Sequence, residues 1–125
     1  MNSFIINYPS TAKERKRWNA QYGLNSIYSG KHWTQRKKDS EYWHLITRAA
    51  MQRARIPHKE LTNPADVTIY WNDNLDIDNH AYMGKMIVDA MKGWILHDDS
   101  RKYFTSVKHD FHDENYILIE IEERT

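Results

Sequence analysis

Residues 76–99 read DIDNHAYMGKMIVDAMKGWILHDD, from Asp76 to Asp99, and this stretch settles how the rest of the chain is to be read. Its middle has a helical period from about Ala81 to Lys92. Met83, Met86, Ile87, Ala90 and Met91 recur on one stripe, Trp94 extends it, and Gly93 suits the residue just past a helix end. A methionine stripe of this kind is core. Lys85 and Asp89, four apart, lie off the stripe, where an ion pair is worth only tenths of a kcal/mol. The ends of the stretch are acidic. In an extended segment Asp76 and Asp78 point the same way, and Asp98 and Asp99 close the run. Carboxylates gathered in a small domain repel, and a hard divalent cation relieves the repulsion. Mg²⁺, or Mn²⁺ in its place, is therefore expected, with Asp76, Asp78, Asp99 and Asp98 as ligands and no organic cofactor. An EF-hand fails, because Ala81 and Ile87 fall where its glycine and terminal glutamate belong. A zinc site from His80, His97, Asp98 and Asp99 is disfavoured by the hard donors and the absence of cysteine.

Upstream, DVTIYW alternates Val67, Ile69 and Trp71 with polar partners and predicts a strand with one buried face. Before it, Ser40 reads as an N-cap for a helix that runs to Ile56, ahead of Pro57. Tyr42, Leu45, Ile46, Ala49 and Ala50 are its expected buried stripe. At the N-terminus SFIINY reads as a strand. Downstream, a strand over Arg101–Lys108 and the alternating YILIEIEE predict an antiparallel hairpin turned at DFHDEN. The expectation is a single α+β domain over residues 1–125: a small mixed sheet of four or five strands packed by two main helices.

Between the first strand and the first long helix no clean period appears, and residues 10–38 read as a loop. It carries Lys13, Arg15, Lys16, Arg17, Lys31, His32, Arg36, Lys37 and Lys38, interleaved with Trp18, Tyr22, Tyr28 and Trp33. Cations neutralise phosphates and planar rings stack on unpaired bases, so this segment is the expected DNA contact; a solvated loop is the alternative. The net charge of +1 hides the asymmetry. Residues 1–63 hold 12 Lys and Arg against 4 Asp and Glu, a balance of +8; residues 64–125 hold 6 against 13, a balance of −7. A polyanion-binding surface beside an acidic site fits that division. With no Cys, disulfides and thiolate chemistry are excluded. No apolar run approaches the roughly 18 residues of a membrane span, and the cytoplasm is the expected compartment.

The ordered set Asp76-x-Asp78-Asn79, Lys85, Asp89, Gly93, Asp98-Asp99 resembles the RusA family of Holliday-junction resolvases. The segment HAYMG makes the interval from Asn79 to Lys85 longer than that family's. The resemblance implies a RusA-like, dimeric fold and a Mg²⁺-dependent endodeoxyribonuclease that resolves four-way DNA junctions by paired symmetric nicks. It casts Asp76, Asp78, Lys85 and Asp99 as catalytic, Asp89 as the residue orienting Lys85, and Asn79 as fixing the loop or a metal-bound water. Two equivalent scissile strands call for two sites, hence a homodimer, with its contact expected around Met83–Met91 or Trp94. The alternatives are a non-catalytic branched-DNA-binding module and a metal-dependent nucleotide phosphohydrolase.

Overall fold

In the computed structural model, which describes residues 1–125, the chain runs β1 (Asn2–Asn7), α1 (Ala12–Tyr22), α2 (Asn25–Tyr28), α3 (Trp33–Arg53), β2 (Ala65–Trp71), a 3-10 turn (Ile77–His80), α4 (Ala81–Met91), β3 (Phe104–Phe111) and β4 (Tyr116–Glu123). The class is α+β, with one mixed sheet in the order β1-β4-β2-β3. No helix is long and apolar enough to cross a membrane.

β2 is the hub. Val67, Ile69 and Trp71 are fully buried, as their alternation predicts. The expected hairpin of the last two strands does not form. β2 lies between them, parallel to β3 and antiparallel to β4. The β2–α4–β3 crossover returns the chain beside β2 in the same direction, as a parallel neighbour requires. Residues 112–115 then step over the end of β2, where His112 N donates to Trp71 O (3.0 Å) and Asn72 Nδ2 to Glu114 O (2.9 Å).

The segment read as a loop is largely helical. Thr11 caps α1 by accepting from Glu14 N, and His32 caps α3, which begins seven residues before Ser40. The buried face of α3 is Asp39, Trp43, Thr47, Ala50 and Met51; of the expected stripe Ala50 is buried and Ile46 and Ala49 are half-buried. Leu45 is 69% exposed and Tyr42 only partly covered. The phase follows Asp39, which accepts from Gln21 Nε2 (3.1 Å), Gln35 Nε2 (3.0 Å) and the Tyr82 hydroxyl (2.7 Å) and pairs with Lys31. Burial pushes the Asp39 carboxyl up, but Lys31, Tyr82, Gln35 and Gln21 together outweigh it and hold it below the usual range. One buried carboxylate thus ties α1, α3 and α4 together.

α4 follows its pattern. Met83, Met86, Ile87, Ala90 and Met91 are buried, and Gly93 follows the helix at φ +80°, a left-handed conformation that favours glycine. Arg48 of α3 donates to Ala90 O (3.1 Å) and Lys92 O (2.8 Å), covering carbonyls at the end of α4. The methionines are consumed by the core and are not an open subunit contact; Trp94 is half-buried and donates to Ile56 O (3.1 Å).

Candidate nucleic-acid interface and acidic cleft

The loop from Asn72 to His80 carries Asp76 and Asp78, and its placement is set by groups on either side of them. His80 is fully buried, with Nε2 2.8 Å from Asp73 Oδ1 and Nδ1 3.1 Å from Ile77 O. Both ring nitrogens face oxygen acceptors, Asp73 on one side and the Ile77 carbonyl on the other. Asp73 also accepts from Leu75 N (3.0 Å) and from the Tyr8 hydroxyl (3.2 Å), which itself accepts from Asn72 N (2.8 Å). Burial is the main cause pushing the Tyr8 hydroxyl well above its usual range, so it stays a donor. Asn79 takes the loop-fixing role of the two expected for it: its Oδ1 accepts from Asn25 N and its backbone carbonyl from Leu24 N, both at 2.9 Å. The D-x-D segment is thereby fastened to the α1–α2 corner.

The acidic residues divide into two sets. Asp76 and Asp78 are exposed and Asp98 is half-buried, and none of the three forms an ion pair. Asp89 and Asp99 are engaged. Lys85 Nζ lies 2.9 Å from Asp89 Oδ1 and 3.5 Å from Asp99 Oδ2; Lys92 Nζ lies 3.2 and 3.3 Å from the same two carboxylates. Lys92, with help from Lys85, holds the Asp99 carboxyl below its usual range. Asp89 pairs with Lys85 one helical turn away, as their spacing suggests. The second cation, Lys92, escaped the sequence reading, although its place three residues after Asp89 is the signal for it.

A hard divalent ion needs several oxygen donors around one point. No group of three or more His, Asp or Glu side chains stands close enough to hold a metal ion. Asp76, Asp78, Asp98 and Asp99 are not gathered around one point, and Lys85 and Lys92 lie beside Asp99.

Lys85 and Asp99 line a cleft of about 320 Å³ between α4 and β3, floored by Gly84, Val88, Phe104 and Val107. His109 lines it too. The Trp71 indole N–H donates to His109 Nδ1 (3.0 Å), so a neutral ring carries its hydrogen on Nε2. Burial, and then the neighbouring His80, lower the His109 pKa and favour that neutral form. Gly84 is what lets α4 approach, since a Cβ there would stand 2.6 Å from His109 Cε1. His109 was also missed by sequence; only its register opposite the buried Ile69 marks it.

The basic residues sort by exposure. Lys31 is taken up by Asp39 and by the faces of Tyr22 and Tyr82, so it is a core cation and not the phosphate contact expected of it. Arg15 donates to Pro9 O (2.9 Å) and binds Asn115, leaving it half-buried. His32 is occupied as the α3 cap, with Nδ1 accepting from Thr34 N (3.2 Å). Lys13, Lys16 and Arg17 on α1 and Arg36, Lys37 and Lys38 on α3 are exposed and form no ion pair. Of the interleaved aromatics, Trp18 and Tyr22 are core, whereas Tyr28 (80% exposed) and Trp33 (62%) stand free beside the cations. Lys16 and Arg15 share a groove with Asn74 and Leu75, so the basic helix adjoins the acidic loop.

No family model matches the chain, and no curated protein matches it. The likeness to the RusA family rests on the ordered residues from Asp76 to Asp99.

Proposed function

We propose that this chain is a structure-selective endodeoxyribonuclease that nicks four-way DNA junctions as a homodimer, with Mg²⁺ as its expected requirement. The observation that carries the reading is that the unpaired Lys16 on α1 shares a groove with Asn74 and Leu75 of the loop that presents the unpaired Asp76 and Asp78, on a molecule whose α1–α3 expose five further unpaired cations and the rings of Tyr28 and Trp33. A phosphate backbone held by Lys16, Arg36 and Lys37 passes that loop. Tyr28 and Trp33 suit the unpaired bases at a branch point. The junction as substrate class is what the resemblance of the ordered Asp, Asn and Lys residues to the RusA family implies. Lys85, exposed and steered by Asp89, is the cation placed to meet a phosphate at the cleft mouth.

One observation favours a second reading, a branched-DNA-binding module without catalysis: Asp89 and Asp99 are neutralised by Lys85 and Lys92. Incubation of a labelled four-way junction, and of a linear duplex of the same sequence, separates the two. The nuclease nicks the junction only when Mg²⁺ or Mn²⁺ is added, and Asp76→Asn or Asp78→Asn abolishes nicking while junction affinity is kept or raised. Binding that ignores the metal, with no cut at any metal concentration, overturns the nuclease in favour of the module.

The grip has its own test. Replacing Lys16, Arg36 and Lys37 together with Ala is expected to weaken binding to every DNA. It should also flatten the slope of log affinity against log salt by about 2 to 3, near 0.9 per lost phosphate contact. An unchanged slope removes α1 and α3 from the interface.

A further inference from the structure

β3 is an edge strand. Its inner side pairs with β2, and no strand of the chain pairs with its outer side, where Phe111 N donates to Asp110 Oδ1 (2.8 Å). Such an edge invites another strand, and proteins commonly guard it with a lysine. Lys108 is present, with Nζ 3.5 Å from Asp110 Oδ2 of the same strand, an exposed pair free to exchange partners across a two-fold axis; beside it Val107 is 44% and Phe111 48% exposed, both large apolar side chains. Register with β2 assigns the faces. Val107, His109 and Phe111 lie opposite Val67, Ile69 and Trp71 on the helix-covered side, while Ser106, Lys108 and Asp110 lie opposite Asp66, Thr68 and Tyr70 on the open side.

We propose that β3 pairs antiparallel with β3 of a second copy of this chain, with His109 on the two-fold axis, making one continuous eight-stranded sheet. Self-pairing about a two-fold axis sets like faces against each other, so the two residue numbers in each pair have an even sum. With His109 on the axis, Lys108 of each copy faces Asp110 of the other, and Val107 of each faces Phe111 of the other. Both charges and both exposed apolar side chains are then matched twice over. Shifting the axis to residue 108 sets lysine against lysine, and shifting it to 110 sets aspartate against aspartate; like charges directly opposite are unfavourable. The other free edge, β1, has no charged residue to select a register. Taking a second copy as the occupant rests on the paired-site reading above, but the surface is drawn from the edge strand alone and its test uses no DNA.

Sedimentation or light scattering of the intact chain across nanomolar to micromolar concentrations is expected to show a dimer. Lys108→Asp and Asp110→Lys should each raise the dimer dissociation constant by about tenfold or more, and the double exchange should restore it. The absence of Cys makes a covalent check clean. His109→Cys places the two sulfurs on the axis, with Cα atoms about 4.5–5.5 Å apart, and should give a disulfide-linked dimer on mild oxidation. Thr105→Cys, whose counterpart in the other copy lies roughly 26 Å away along the strand, should not. A monomer throughout overturns the proposal. So does a dimer indifferent to both charge reversals, or one that Thr105→Cys links as readily as His109→Cys. None of these three outcomes measures cleavage, which the junction assay reads separately, so failure of this surface is distinguishable from failure of the nuclease reading.

Discussion

Replacing Asp39 with Ala is expected to destabilise the protein by about 3–5 kcal/mol, enough to consume much of the stability of a domain this size. The carboxylate is 1% exposed and holds Lys31, Gln21, Gln35 and Tyr82, so its removal leaves a buried ammonium and three donors without acceptors. Urea midpoints of wild type and variant measure the loss; a change under 1 kcal/mol would mean that water reaches Lys31 readily. The same group fixes a pH dependence. Its folded value lies below the usual 3.8, so the unfolded chain takes up the proton more readily. Its contribution is complete above 3.8 and drains away as pH falls through the lower folded value. Asp39→Asn should therefore flatten the decline of stability below that pH, and an unaltered acid limb would assign the decline to other carboxylates.

Asp73→Ala is expected to cost about 2–4 kcal/mol, because it leaves the fully buried His80 ring, the Tyr8 hydroxyl and Leu75 N without their acceptor. Its effect differs in place. Asp73 holds Leu75 N, the Tyr8 hydroxyl and His80, which bracket the segment bearing Asp76 and Asp78. Amide exchange at Leu75 should speed up more than exchange at Val67 or Ile69, which lie in the central strand. Uniform acceleration across the chain would show that the loop is not a separately fastened unit. If the nuclease reading is right, this variant also loses nicking, though Asp73 does not itself stand among the exposed carboxylates.

The sequence was most legible where one apolar period ruled. β2, α4 with its Gly93 stop, and β4 all showed their buried faces as alternation or stripe. α1 was hidden because only Trp18 and Tyr22 are buried among its eleven residues, and two positions make no period. α3 was misphased for a different reason. Its inward side begins at a charged residue, Asp39, and continues through Thr47, so polarity pointed away from the core while Leu45 pointed falsely toward it. Strand pairing failed at β3 and β4, where closeness in sequence suggested a turn and the crossover through α4 set the neighbours instead. At the site, the i, i+4 pair of Lys85 and Asp89 was legible. The union of Lys92 with Asp99, the burial of Lys31, and the Asp73–His80 clamp depend on tertiary approach, which spacing does not encode.

The step of residues 112–115 over the end of β2 has a bearing on how the chain acquires its shape during synthesis. β1, the earliest of these four strands to leave the ribosome, pairs in this sheet with β4, the latest of them, since Asn2 lies beside Ile121. Of the three strand pairs, only β2 with β3 can assemble before β4 is made. Until then β1 waits with Phe4 and Ile6 uncovered by the sheet, a slow, high-contact-order route in which the nascent chain depends on its helices to stay out of aggregates.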